Sequence, residues 1–113
     1  MMSEFTYSIA KKFSKHPGPR YVRQGPDSGE LLRRRLNQIL SEVKGTVLVD
    51  LDGTTGFGSS FLDEAFGGLI RSDHWQKDQL LRRLQFRSTL DPSYVDEIMD
   101  SINKAKPAEE VSH

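Results

Sequence analysis

Two carboxylates and a glycine-rich turn lie close together in the middle of the chain, where the fold can bring them to one edge of a sheet. Residues 46–51 (TVLVDL) form a short β-branched and aliphatic run, which predicts a central strand buried on both faces. Asp50 and Asp52 lie at its carboxyl end, and the turn GTTGFGSS (residues 53–60) follows. Because ligands of open α/β sheets bind beside the carboxyl ends of strands, this segment is the first candidate for a functional site.

One interpretation makes the two aspartates catalytic. Residues 47–54 (VLVDLDGT) resemble the first motif of the haloacid-dehalogenase phosphatase superfamily. The resemblance implies that Asp50 is a nucleophile, that Asp52 is a general acid, and that a magnesium ion binds near both. The sequence offers no convincing lysine or second acidic pair for that chemistry, and aspartates at a strand end also accept hydrogen bonds from turn amides. A magnesium-dependent phosphatase is therefore the alternative function.

A second resemblance covers more of the chain. The segments GPDSGE (residues 25–30), VDLDG (residues 49–53) and SSFLDEAFGGL (residues 59–69) resemble an uncharacterised STAS-like family that is widespread in bacteria. STAS denotes the fold of sulphate transporters and anti-sigma-factor antagonists. The likeness extends over about residues 5–104 and implies an α/β fold, with a mixed β-sheet and helices packed against it.

The STAS resemblance also implies a function. It indicates a small regulatory domain that binds another protein, namely a histidine-kinase-like ATP-binding partner. In the antagonists, that partner phosphorylates the serine at the position of Ser59, so Ser59 and Ser60 are the candidate phosphosites. A phosphoserine would add about −1.5 to −2 charge at a helix amino terminus. This chain has Gly58 where the antagonists usually carry Asp, and the alternative role of either serine is a helix N-cap.

The expected binding surface is the turn 53–60 together with the exposed face of the helix predicted over residues 61–71, because this edge combines free amides, serines and acidic side chains. The predicted partner-binding residues are Gly56, Gly58, Phe61, Asp63 and Glu64. On this interpretation we expect no enzymatic activity, no cofactor and no bound metal. Self-association stays open.

Composition limits the other classes of function. The chain has 113 residues, 16 Lys and Arg against 16 Asp and Glu, and no cysteine, so disulfides and thiolate chemistry are absent. It has neither a secretory signal pattern nor an apolar run of about 20 residues, and we expect a cytoplasmic protein that does not bind membranes. Neutral net charge disfavours nucleic acid. We predict that a STAS-like domain spans residues 1–105 and that residues 106–113 form a polar tail.

One stretch departs from this neutrality. Residues 11–23 (KKFSKHPGPRYVR) are locally basic and carry two interleaved aromatic residues, Phe13 and Tyr21. The stretch could bind phosphate groups or an acidic partner, although a mobile loop is the simpler interpretation. The arginine run 33–35 reads as a solvated helix face, and Trp75 as either a partner anchor or a cover for the core.

Apolar spacing predicts the elements that position these residues. Strands are predicted over residues 5–10, 20–23 and 82–88. A helix should begin after Asp27 or Ser28 and end near Lys44 and Gly45, with Glu30 in a capping box if Asp27 is the cap. A last helix should follow Asp91 and Pro92.

Overall fold

The sheet has three strands. The structure is a computed structural model, and it describes residues 4–108. Strands β1 (Glu4–Ser8), β2 (Thr46–Asp50) and β3 (Leu84–Arg87) lie in the order β1-β2-β3, and both neighbouring pairs are parallel. Since parallel neighbours require a crossover, helices connect β1 to β2 and β2 to β3.

Six α-helices accompany the sheet in the described part of the chain. They are α1 (Ile9–Lys12), α2 (Gly29–Glu42), α3 (Ser59–Leu62), α4 (Gly68–Arg71), α5 (Lys77–Arg83) and α6 (Ser93–Lys104). A π-helical segment, Asp63–Gly67, joins α3 to α4 without a break. We call α3, the π segment and α4 together the central helix, because α2 and α6 both pack on it.

The core lies between the sheet and the helices. The register places Val47 beside Phe5 and Val49 beside Tyr7 and Phe86, so these side chains share one face of the sheet. Helix α2 contributes the stripe Leu32, Leu36 and Leu40, each at most 2% exposed, as the spacing predicted. The central helix and α6 contribute the remaining large apolar groups: Phe61, Leu62, Phe66, Leu69, Ile98 and Ile102.

The predicted α/β class, with helices packed against a sheet, is confirmed, but two details of the sheet were wrong. Its strands are all parallel in residues 4–108 rather than mixed, and the segment predicted as an edge strand at 20–23 is a 3₁₀ turn, Val22–Gln24. The amides of Gly29 and Glu30 bond to the carbonyls of Pro19 and Arg20, each at 2.8 Å. These bonds fix the segment on the start of α2, away from the sheet.

The strands are also shorter and less covered than predicted. β1 ends at Ser8, because Ile9 already begins α1, and β3 begins only at Leu84, because α5 continues to Arg83. β2 is central as expected, but burial alternates along it and Leu48 is only half-buried. Only one face of the sheet is therefore closed by the helices in the described residues.

The start of α2 confirms one of the two predicted N-caps, whereas its end differs from the prediction. Ser28 is the N-cap, with its Oγ accepting from the Leu31 amide at 3.1 Å, so Glu30 is free to accept from the Val22 amide instead of closing a capping box. The helix ends at Glu42, before the predicted glycine. Arg83 from α5 donates to the carbonyls of Leu40, Val43 and Gly45, which satisfies the carbonyl end of the helix.

Two adjacent glycines in the central helix mark close packing. A Cβ on Gly67 would lie 3.3 Å from the Ser101 carbonyl of α6, and one on Gly68 would lie 2.6 Å from Cδ of Arg33 on α2. The helix continues through them to Arg71. Their role is thus to admit α6 and the Arg33 side chain against the helix axis, and not to end the helix.

Candidate functional site at the carboxyl edge of the sheet

Asp52 connects the two loops that leave the carboxyl edge. Its carboxylate accepts from the Thr89 hydroxyl at 2.7 Å and from the Thr89 and Leu90 amides at 3.1 Å each. The hydrogen bond from the Thr89 hydroxyl, followed by that from the Leu90 amide, lowers the pKa of Asp52 below its ordinary value. The side chain therefore holds the loop after β3 against the loop after β2.

The Asp50 carboxylate is likewise held by polar contacts at this edge. It accepts from the Asp52 amide at 3.0 Å and lies 3.4 Å from a guanidinium nitrogen of Arg87. A general acid must carry a proton at working pH, and the lowered pKa of Asp52 opposes that. Within residues 4–108, no three His, Asp or Glu side chains come close enough together to hold a metal ion. Both side chains accept hydrogen bonds from loop amides, as aspartates at a strand end do.

The glycine-rich loop between β2 and the central helix is well anchored. Gly53 and Gly56 adopt positive φ angles of 95° and 126°, and a Cβ on Gly56 would meet the Tyr94 hydroxyl at 3.0 Å. Phe57 is buried, with its ring 5.1 Å from that of Tyr94 and nearly perpendicular to it. The Thr55 amide donates to the Lys15 carbonyl at 2.8 Å. The loop is thus fixed from both sides.

Leu90 projects from this edge into solvent. It is 80% exposed, by far the most exposed large apolar side chain in the described residues, while its own amide is held by Asp52. A crevice of about 120 Å³ lies beside it, lined by parts of the loop 51–56 and by Ser88, Asp91 and Tyr94. No sequence pattern marked Leu90, because a single leucine between Thr89 and Asp91 can lie either in the core or at the surface.

The two predicted phosphosites begin the central helix. Gly58 occupies the N-cap and contributes no side-chain hydrogen bond, so the alternative role of either serine as N-cap is wrong. Both Ser59 and Ser60 are exposed. The Ser59 hydroxyl donates to Glu97 of α6 at 2.6 Å, which ties the helix start to α6.

The predicted partner contacts are only partly at the surface. Gly58 is exposed and Gly56 half-buried in the loop, but Phe61 is 0% and Glu64 6% exposed. The prediction that Phe61 and Glu64 lie on an exposed face is wrong, because α2 covers Glu64 with Arg33, and Phe61 packs against Phe57 and Phe13. Asp63 is half-buried in ion pairs.

Those ion pairs form an arginine–carboxylate cluster around the π segment. The Asp63 carboxylate forms ion pairs with guanidinium nitrogens of Arg20 at 2.8 Å and of Arg71 at 3.0 Å. Glu64 receives Arg33 at 3.0 Å, and the same guanidinium donates to both oxygens of Asp73 at 3.0 and 2.9 Å. The six members come from four separate parts of the chain: Arg20, Arg33, Asp63, Glu64, Arg71 and Asp73. Three positive and three negative side chains thus balance one another.

The cluster was missed in the sequence analysis. A helical period of 3.6 residues places Glu64 off the apolar stripe, but α2 packs on this side of the central helix, and its Arg33 covers Glu64. Arg33, read there as part of a solvated face, has a side chain only 11% exposed. Burial raises the pKa of Asp63, but hydrogen bonding to Arg20 and the charge of Arg71 lower it more, and the net shift is downward. Most of the residues that pair in this cluster lie far apart in the chain, so the sequence alone does not indicate which of the charges pair.

Trp75 covers the core rather than projecting from it. Its indole nitrogen donates to the Asn37 side chain at 2.8 Å, and the ring packs half-buried beside α2.

No helix in residues 4–108 has the length and apolar character required to cross a bilayer.

Together, the parallel sheet, the glycine loop after its central strand and the helix that starts at Ser59 define an α/β domain. A comparison with known protein families matched residues 28–94, from the cap of α2 to the start of α6, to the family described as STAS-like domain of unknown function (DUF4325). The match covers more than half of the chain, and the chain belongs to that family. Searches of curated proteins and of solved structures found no significant match.

Proposed function

We propose that this domain is a non-catalytic regulatory module that binds another protein through the carboxyl edge of its sheet. We call this the edge surface, made of the loop 53–60 and Leu90. The observation that carries the proposal is Leu90, which is 80% exposed while its backbone is held in place. An exposed leucine on an ordered loop supplies apolar contact area at little cost in conformational entropy.

The surroundings of Leu90 support the same role. The crevice beside it is open and small, about 120 Å³, which suits one partner side chain better than a whole metabolite. The hydrogen bonds that Thr89 and Leu90 donate to Asp52, the packing of Phe57 and the bond from the Thr55 amide leave the edge surface little freedom to lose on binding. A surface that is ordered before binding is what a specific protein contact requires.

We further propose that the partner is a histidine-kinase-like ATP-binding protein and that phosphorylation of a serine controls the complex. Ser60 is the better candidate acceptor. Ser59 would lose its 2.6 Å bond to Glu97 on phosphorylation, and its phosphate would lie beside that carboxylate. Ser60 is exposed at the same helix start, next to amides that favour a negative charge.

Affinity capture with matched variants tests the proposal. Tagged wild-type chain, Leu90→Asp and Leu81→Asp are expressed in the native host, and co-purified proteins are quantified by mass spectrometry. Leu81 is also exposed, at 42%, but lies on α5 away from the glycine loop. We expect an ATP-binding partner with the wild type and Leu81→Asp, but not with Leu90→Asp. Equal recovery with both variants would contradict the edge surface.

Phosphate mapping on the recovered chain then addresses regulation. We expect phosphate on Ser60, and loss of the partner from Ser60→Asp but not from Ser60→Ala. Phosphate on neither serine, with the partner still bound, would leave a binding module without this switch. Turnover of a phosphate ester that disappears in Asp50→Asn would instead establish the phosphatase alternative.

A further inference from the structure

A second surface with the features of a docking site lies where the basic segment meets α2. It is a depression of about 460 Å³ lined by Tyr21, Val22, Arg23 and Glu30. This volume falls within the range of pockets that bind ligands, roughly 300–1,000 Å³. Val22 is 46% exposed, and Leu31 in the first turn of α2 is 37% exposed. None of the lining residues belongs to the edge surface.

The depression is rigid. The Val22 amide donates to Glu30 at 3.0 Å and the Tyr21 amide to Gln24 at 2.9 Å. The Arg20 side chain reaches Asp63 on the central helix at 2.8 Å, which joins the segment to the arginine–carboxylate cluster. These contacts hold Val22 in place at the surface of the depression.

The charges around the depression are unbalanced. Glu30 is already paired with Arg34 at 2.6 Å, and Arg20 with Asp63. Arg23 is exposed, lies over the Tyr21 ring at 5.4 Å from its centroid, and forms no ion pair within residues 4–108. One guanidinium next to an apolar wall is therefore free to receive a carboxylate.

We propose that this depression binds a peptide segment of a partner protein that presents an apolar side chain beside an acidic one. The apolar group packs on Val22 and Tyr21, and the carboxylate pairs with Arg23. A charged segment without an apolar side chain would leave Tyr21 and Val22 uncovered, so charge alone does not make a suitable ligand. The unpaired Arg23 repels basic segments. This site is separate from the edge surface and does not depend on the function proposed for it.

Peptide titration followed by ¹⁵N–¹H NMR tests the proposal. The probes are the acidic peptide Ac-Glu-Leu-Glu-Phe-Glu-NH₂ and its basic counterpart Ac-Lys-Leu-Lys-Phe-Lys-NH₂. We expect the acidic peptide to shift the amides of residues 20–31 and the basic peptide to leave them unchanged. Val22→Asp and Arg23→Glu should each weaken binding about tenfold, the effect of losing one favourable contact of a binding site.

Three control variants make the result specific. Leu81→Asp and Arg82→Glu change an exposed leucine and an exposed arginine on α5, and Leu90→Asp alters the edge surface; all three should bind the acidic peptide as the wild type does. Equal shifts with both peptides, no shifts, or shifts outside residues 20–31 would overturn the proposal. Amides 20–31 that move on dilution without peptide would also overturn it, because the occupant would then be a second copy of the chain.

Discussion

The sharpest expectation concerns Arg33, whose removal should destabilise the fold far more than removal of its neighbour Arg34. Arg33 makes three hydrogen bonds to Glu64 and Asp73, and the three side chains are only 11%, 8% and 17% exposed. Arg33→Ala would leave Glu64 buried, with its nearest remaining cations, Arg20 and Arg71, at 3.8 Å.

The magnitude follows from burial. Breaking a buried ion pair by removing one partner costs about 3–5 kcal/mol, and the two remaining arginines place the expected loss near the lower limit, at about 3 kcal/mol. A domain of this size is stable by roughly 5–15 kcal/mol, so the loss is a large fraction. Arg34 is 59% exposed and pairs only with Glu30 one turn away, and Arg34→Ala should cost about 0.3–0.5 kcal/mol.

Urea unfolding provides the assay. The single tryptophan, Trp75, lies two residues from Asp73 and bonds to Asn37 of α2, so its fluorescence should report loss of this region. Circular dichroism follows the helices in parallel. Similar free energies of unfolding for Arg33→Ala and Arg34→Ala would refute the argument that the cluster is buried and coupled. In the double variant Arg33→Met, Glu64→Gln, we expect recovery of only part of the loss, because the buried charge of Glu64 is removed while Asp73, whose side chain is 17% exposed, still lacks its partner.

Three further predictions concern packing, pH and the edge loops. Gly29→Ala should cost about 1–3 kcal/mol, since its Cβ would lie 2.5 Å from the Phe61 carbonyl. Gly58→Ala has open space around it and should lose only the better N-cap, about 0.5–1 kcal/mol, in the same unfolding assay. Because the pKa of Asp63 is lowered in the folded state, its ion pairs stabilise the fold above about pH 4 and are lost as the pH falls through the lower folded-state value. The urea midpoint should therefore fall as the pH is lowered below about 4, and it should fall less in Asp63→Asn. Identical pH profiles of the two proteins would contradict this. Asp52→Ala should accelerate hydrogen exchange at the amides it holds, those of Thr89 and Leu90, and unchanged exchange would show that the loops are fixed by other contacts.

Much of the candidate site could be predicted from local sequence. The run before Asp50 indicated a strand and the glycines after it indicated a turn, so two aspartates and two serines were expected at one edge of the sheet, where the structure places them. Leu90 could not be predicted as part of that edge. Its position depends on the bonds from Thr89 and Leu90 to Asp52, which is 37 and 38 residues away in the chain.

The sequence by itself determined the fold class and most of the core, because apolar periodicity and glycine turns act within a few residues of one another. The apolar stripe of α2 is of this kind. Only the tertiary structure decided which charges are buried. Glu64 lies inside because α2 packs on the π segment, and Arg33 of that helix supplies the cation that a buried carboxylate requires. Similarly, residues 20–23 could have formed a strand, but carbonyls that bond to the start of α2 made them the wall of a depression.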